Sequence, residues 1–446
     1  MKAITTKSDA NVPAGLERVV GVPGAVLMGL GSILGTGIFV SIGIAAGVTG
    51  PSVILAVVAA ALVATFNGLS SAQLAASHPV SGGTYEYGYR YLNPTLGFTA
   101  GWMFLCAKSA SAATAALGFA GYVLVAAGQS ASTHRVALAL IGVLVLTVIV
   151  AGGISRSNRA NTTIVTFTLL ALAGFVAFGL PSAIAGASGH LDAFFADSGE
   201  GSGASGFLHA TALMFVAYTG YGRIATLGEE VHDPRKSIPR AIIVTLVATA
   251  AIYALVAFVA VASIGAGGLA EATKQAAAPL EVIARGFDIP GVAWLVAAGA
   301  VTAMLGVLLN LLLGLSRVVL AMARRGDMPA LFARVDAKRS SPVAAVLLVG
   351  GIIAGLAAIG SVETTWSFSA FTVLVYYALT NLAALRLPPE ARLYPRWIPA
   401  AGLVCCLGLA FWVEPAIWAA GLGLIAAGLV WHRVARRVSS RAAARN

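Results

Sequence analysis

Four glycines crowded into eleven residues, and two cations set in apolar surroundings, are the features of this chain that could do chemistry. The glycines are Gly29, Gly31, Gly35 and Gly37, in the stretch G-L-G-S-I-L-G-T-G-I-F that ends at Phe39. In a soluble helix each glycine costs about 1 kcal/mol relative to alanine. Where a helix breaks at glycine, however, free N–H groups can face a cavity with the positive end of a half-helix behind them, and that arrangement receives a carboxylate. Gly31 and Gly35 also form a GxxxG pair, which in membranes often serves only close packing of helices. On glycine content alone both uses stay open. The cations are Lys108, about twelve residues into an apolar run, and Arg223, just after Gly220–Gly222. An ionisable residue at that depth is a functional feature by default, and a buried amine is a candidate to exchange protons. The bland alternative is a lysine snorkelling into a water-filled cavity or bonded to carbonyls. Arg223 stays charged, so its roles are to order a gate, meet an anion, or pair with Glu229 or Glu230.

The elements that must position these residues follow from composition. Hydrophobic residues make up 59 % of the 446 and charged residues 10 %, well below the roughly 25 % charged of a soluble domain. About 20 apolar residues span a bilayer, and the chain has about twelve such runs, near 22–46, 52–76, 96–125, 135–153, 160–180, 207–228, 240–264, 291–322, 342–360, 364–385, 398–413 and 415–432. The expected fold class is all-α: a polytopic membrane protein of about twelve transmembrane helices, with no soluble domain.

The net charge of +11 raises nucleic acid as a partner, but its placement argues against it. With the N-terminus in the cytoplasm, 23 of the 28 Lys and Arg residues lie on the inner side, three outside (Arg135, Lys274, Arg285) and two within spans. That positive-inside bias predicts both termini inside, and it makes the basic tail an orientation signal in contact with the lipid bilayer. Cys106, Cys405 and Cys406 all fall in apolar runs, so neither a disulfide framework nor a metal site is expected. Residues 1–20 are polar and lack the apolar core and small-residue cleavage site of a removable signal peptide. The six histidines are scattered at span ends and loops, and no span gathers His, Asp, Glu or Cys as an embedded enzyme would need. No cofactor is expected.

Several motifs recur in order along the chain: GLGSILGTGIF, then AQLAASHPVSGGTYEYGYRY, GFTAGW at 97–102, FVAYTGYGRIATLGEEVHDP at 215–234 followed by RKSIPRAI, and LSRVVLAMARRGDMP at 315–329. Together they resemble the amino acid–polyamine–organocation (APC) superfamily of secondary transporters. The wording is closest to the amino acid permeases that include the cationic amino acid transporters. The likeness covers residues 20–340. It implies a 5+5 inverted repeat with broken helices 1 and 6: a cytoplasmic segment 1–20, a transporter core 21–390, peripheral helices 391–434 and a basic tail 435–446. Spans one and six are also the two with glycine-broken centres, and paired breaks in two halves are the best sequence pointer to a transport site.

Carried over by position, the resemblance implies that Ser32, Ile33, Leu34, Gly35, Thr36 and Gly37 offer backbone N–H groups to a substrate carboxylate. Carbonyls from the first break and from Ala217, Tyr218, Thr219 and Gly220 would take the ammonium. A zwitterion held between half-helix ends needs no charged side chain, and the Asp and Glu residues all fall in loops or at span ends. Tyr218 stands where relatives often carry an aromatic that covers the substrate; hydrogen-bonded packing at a helix interface is the alternative. One departure concerns coupling. Some proton-coupled members have a lysine in the fifth helix, where this chain has Thr168, and Asn310 is the only polar side chain of 307–315 before Ser316, so a sodium site is poorly provided. Either Lys108 has taken the proton role, or the protein exchanges substrates or runs uncoupled. The expected substrate is a neutral amino acid, since a protonated Lys108 would repel a cationic one; a cationic amino acid or polyamine is the runner-up. A channel is less expected, because paired breaks favour an occluding site.

Overall fold

The computed structural model describes residues 20–79, 82–129, 131–153, 158–192, 194, 203–225, 231–336 and 341–443; among them the chain is helical and forms no strand. The first predicted span is built in pieces. Helix α1 (Val22–Ile33) carries Pro23 in its first turn, where a missing amide leaves nothing unpaired, and ends at Leu34, whose ψ of 98° is extended. A π-helical turn, Gly37–Ser41, leads into α2 (Ile42–Thr49). Next come α3 (Val53–Ser77), the short α4 (Thr84–Tyr91) and α5 (Pro94–Ala126). The Asn93 side chain caps α5 by accepting the Leu96 amide at 2.8 Å. Helices α6 (Ala131–Ala151) and α7 (Asn158–Leu191) follow.

The sixth segment is again divided, into α8 (Gly203–Tyr218), a 3-10 turn at Thr219–Tyr221, and α9 (Gly222–Ala225). Helix α10 (Pro234–Ala276) continues past a kink at Gly265, where φ is 76° and ψ 160°, a conformation that suits only glycine. The rest of the chain forms α11 (Pro279–Arg285), α12 (Val292–Arg324), α13 (Val343–Ala357), α14 (Val362–Leu385), α15 (Trp397–Ala410) and α16 (Pro415–Ala443).

Helix occupies every one of the predicted apolar runs. Among the described residues, eight helical stretches are long and apolar enough to cross a membrane by length and composition, and α1, α13 and α15 are shorter apolar helices. Apolar side chains on the outward faces, such as Leu144, Val247 and Val404, stand more than half exposed. In water such a surface would aggregate, whereas lipid is as apolar as leucine. This is a multi-pass membrane protein.

Helix α5 runs through the interior, packed along α14 and α12, while α10 packs along α7 and α3. The middle of α5 is lined by Ala107, Ser109, Ala110, Ser111, Ala112 and Ala113, all buried. Small residues there let neighbouring backbones close in, and Lys108 sits among them.

Candidate functional site

The break in the first segment is a property of its backbone. Leu34 gives its amide to Leu30 O at 2.8 Å, closing the last turn of α1, while the Gly35 amide has no backbone acceptor among the described residues. Gly35 O takes the amides of both Ile38 and Phe39 at 3.1 Å. Thr36 is 4 % exposed, and its Oγ1 has no hydrogen-bond partner among the described residues. Buried hydroxyls are nearly always bonded, so the free Gly35 amide and the Thr36 hydroxyl mark a place suited to a polar ligand. The four glycines have a second use as well. A Cβ on Gly31 would meet Asn161 Oδ1 of α7 at 2.4 Å, one on Gly35 Val307 Cγ2 of α12 at 2.6 Å, and one on Gly37 the Ala217 Cβ of α8 at 2.6 Å. Interruption and close packing coexist in this stretch.

The sixth segment is interrupted more gently and is held by side chains. Thr219 Oγ1 gives its proton to Val216 O at 2.7 Å and accepts from Lys108 Nζ at 2.6 Å. The Tyr377 hydroxyl of α14 donates to Thr219 O at 3.2 Å. Gly220 lies against the first break: a Cβ there would be 2.4 Å from Ser32 O. The Tyr253 hydroxyl of α10 stands 2.9 Å from Ile33 O and 3.3 Å from Ala217 O, so it touches both interruptions at once.

These contacts locate each residue singled out from sequence. Ser32 through Gly37 and Ala217 through Gly220 come together where the two interruptions cross. Lys108 joins them through Thr219 and is 8 % exposed. The Tyr218 ring, in contrast, turns to the second segment: its hydroxyl donates to Val57 O at 3.1 Å and its ring centroid lies 5.2 Å from that of Tyr253. The side chain therefore packs at a helix interface. Thr168 is buried and bonds Ile164 O of its own helix at 2.8 Å. Arg223, counted from sequence as lying within a span, is exposed in the short α9. Its suggested partners Glu229 and Glu230 lie outside the described residues. Among those residues no group of His, Cys, Asp or Glu could hold a metal ion.

Two hydrogen-bonded layers flank the crossing. At the end rich in basic residues, the tyrosine helix α4 docks on Asp327, whose Oδ2 accepts from Tyr85 at 2.7 Å and Tyr89 at 2.6 Å. Burial, helped by this carboxylate, pushes both phenols up, so they stay donors. Arg325 pairs with Glu86 at 2.6 Å, and its guanidinium lies 4.1 Å from the Tyr89 ring centroid. At the opposite end, the Tyr122 hydroxyl donates to Phe39 O at 2.8 Å and accepts from the Leu280 amide of α11 at 3.3 Å. Next to Leu280, Glu281 is 1 % exposed and pairs with Arg285 at 3.0 Å. Burial pushes its carboxyl up to about 7, against the opposing pull of Arg285.

Sequence reasoning passed over Tyr253, Tyr377, Tyr122 and Glu281. The tyrosines did carry a signal, since a phenol buried inside an apolar run must find an acceptor. Glu281 carried none, because in sequence it belongs to a polar connection like many solvated carboxylates.

An all-helical, multi-pass membrane protein whose first and sixth segments are interrupted against each other has the form of a secondary carrier. The chain belongs to the amino acid permease family, whose profile matches residues 24–436. It is 41 % identical over 437 residues to an uncharacterized transporter of Mycobacterium tuberculosis, covering 97 % of this chain and 94 % of that one. A branched-chain amino acid permease of Bacillus subtilis is 28 % identical over 89 % of this chain and 86 % of its own. The human cationic amino acid transporter 4 is 30 % identical over 85 % of this chain and 61 % of its own. The family consists of transporters, not enzymes.

Proposed function

We propose that this permease carries neutral amino acids across the cell membrane by alternating access, with both termini cytoplasmic and the substrate held at the crossing of the two interruptions. The core would be two inverted five-helix repeats, with α15 and α16 peripheral. The substrate carboxylate would be taken by the first break, from Ser32 to Gly37, and its ammonium by carbonyls of that break and of Ala217 to Gly220. One observation carries this reading. Ile33 O and Ala217 O, one from each interruption, converge on a single donor position, beside a free Gly35 amide and an unpartnered Thr36 hydroxyl. Net movement would be driven by protons, with Lys108 as the exchanging group, or by counter-transport of a second substrate.

The cationic reading is the alternative, favoured by the 30 % identity to a transporter of that class. Lys108 argues against it. Two like charges about 4 Å apart at an effective dielectric near 20 repel by about 4 kcal/mol before relaxation.

A thermal-shift screen of the purified protein against all amino acids and common polyamines tests the reading. Neutral amino acids are expected to raise the Tm, by an amount equivalent to about 2.7 kcal/mol at a hundred times Kd. Counterflow in vesicles, in which preloaded unlabelled substrate accelerates labelled uptake, then separates a carrier from a pore. Stabilisation by polyamines, lysine or arginine alone would overturn the neutral assignment.

A further inference from the structure

We propose that the Tyr253 hydroxyl is a positioning residue for recognition of the α-amino group: it fixes the two ammonium-accepting carbonyls, one from each interruption, in register with each other. The proposal rests on the substrate site described under the proposed function and deepens it.

The geometry is specific to this hydroxyl. Tyr253 is fully buried in α10, a helix that belongs to neither interrupted segment. Its oxygen is 2.9 Å from Ile33 O, the last carbonyl of α1 before the chain turns extended at Leu34. It is 3.3 Å from Ala217 O, in the last turn of α8 before the 3-10 turn. A phenol has one proton, so it can satisfy only one of these carbonyls fully at a time, while each carbonyl oxygen has two lone pairs. The hydroxyl therefore brings two acceptors to a common point without using up their capacity. An ammonium, with three protons, can bond both oxygens.

The surroundings leave these groups little room to drift. A Cβ on Gly37 would be 2.6 Å from the Ala217 Cβ and 2.8 Å from the Tyr253 oxygen. The Tyr253 ring is backed by Tyr218, whose own hydroxyl is committed to Val57 O. If Tyr253 lost its hydroxyl, the ring would still fill its space, but among the described residues no hydrogen-bonding group would join Ile33 O to Ala217 O. The carboxylate end of the site, formed by the Gly35 amide and Thr36, does not touch Tyr253 in any hydrogen bond and would be left as it is.

The experiment compares an α-amino acid that binds the parent with its deaminated analogue, the carboxylic acid with the same side chain. Both compete against labelled substrate in vesicles holding parent, Tyr253→Phe, or Tyr87→Phe, a control in α4 that removes a similarly buried hydroxyl. For Tyr253→Phe the amino acid is expected to lose at least fivefold in affinity, while the deaminated acid stays within twofold. Tyr87→Phe should leave the ratio between the two ligands at its parental value. Replacing Tyr253 with p-aminophenylalanine keeps an N–H donor at the same point, and is expected to preserve the parental ratio even if the phenylalanine protein is not recovered folded. Equal losses for both ligands, no loss for either, or a changed ratio in the aminophenylalanine protein would overturn the role of Tyr253. A parent that binds no α-amino acid at all would overturn the site itself, a result distinguishable from these.

Discussion

The two interruptions that cross at the centre of this permease are built in opposite ways. The first is written into the backbone: an extended Leu34, a Gly35 amide with no backbone acceptor, and a π-helical turn from Gly37 to Ser41. The sixth is a 3-10 turn whose flanking residues keep helical torsions, with Tyr218 at φ −88° and ψ −14° and Gly222 at φ −53° and ψ −26°. It is held instead from outside, by Lys108 on Thr219 Oγ1 and Tyr377 on Thr219 O. A backbone break offers fixed donors and tolerates little change. A break held by neighbouring side chains can be retuned one residue at a time, and this is where a substrate preference can be altered without losing the site.

The largest effect should come from the point where the two interruptions touch. In Gly220→Ala the new Cβ would lie 2.4 Å from Ser32 O, a backbone atom that cannot turn aside. Transport is expected to fall more than a hundredfold in protein that still reaches the membrane. Gly35→Ala is the informative contrast. Its Cβ would meet Val307 Cγ2 at 2.6 Å, the end of a side chain that can adjust. A several-fold loss is expected there, largely restored by adding Val307→Ala. Uptake assays normalised to surface expression decide both. Near-normal transport by Gly220→Ala would mean that the crossing is only packing.

How much of this was legible follows from which forces act locally. Apolar runs alone locate the helices, because in lipid every backbone amide must be paired within its own segment. The glycine cluster at Gly29–Phe39 and the pair at Gly220 and Gly222 likewise point to the interrupted segments, since glycine lets backbones break or approach. Side-chain direction was not legible. Tyr218 faces the second segment and Tyr253 faces the site, although both are tyrosines buried among apolar residues. Which one turns inward depends on how α3, α8 and α10 pack, and that information is not local. The polar connections were the least readable: Glu281 and Asp327 look like solvated carboxylates in sequence, yet are 1 % and 3 % exposed.

Next in size is the outside support of the sixth interruption. Lys108→Met keeps the stem and removes the charge and the bond to Thr219 Oγ1. A hydrogen bond to a charged group contributes about 1.5–3 kcal/mol, so uptake of neutral amino acids is expected to fall at least tenfold. Lysine and arginine, which are expected not to compete in the parent, should begin to compete. Among the described residues no hydrogen bond joins the first interruption to Lys108, so the preference for a free carboxylate proposed for that interruption should persist, which competition by amino acid amides measures. Parental uptake and parental preference in the methionine protein would reduce Lys108 to a packing residue and leave the comparison without its retunable half.

The smallest effect bears on the first interruption from the end opposite the basic residues. There Tyr122 joins Phe39 O to the Leu280 amide, so α11 is fastened to the π-helical turn. Glu281 anchors the next position of α11; its one charged partner among the described residues is Arg285, and the Tyr122 hydroxyl is the neighbouring titratable group from α5. Its carboxyl is pushed by burial to about 7, above the ordinary value of 4.5. A group raised in this way adds stability that is fully present below its unfolded pKa and is lost as pH rises through the folded one. The parent is therefore expected to lose Tm steadily between pH 5 and pH 8. Glu281→Gln keeps the shape and cannot ionise, so its curve should be flatter, with a higher Tm than the parent at pH 8 and little difference at pH 5. Since α11 is fastened to the first interruption and has no hydrogen bond to the sixth among the described residues, the same substitution should leave the substrate preference proposed to depend on Lys108 untouched. Parallel Tm curves for parent and glutamine protein would show that Glu281 does not titrate in this range, and a shifted substrate preference would show that a change at α11 reaches the sixth interruption.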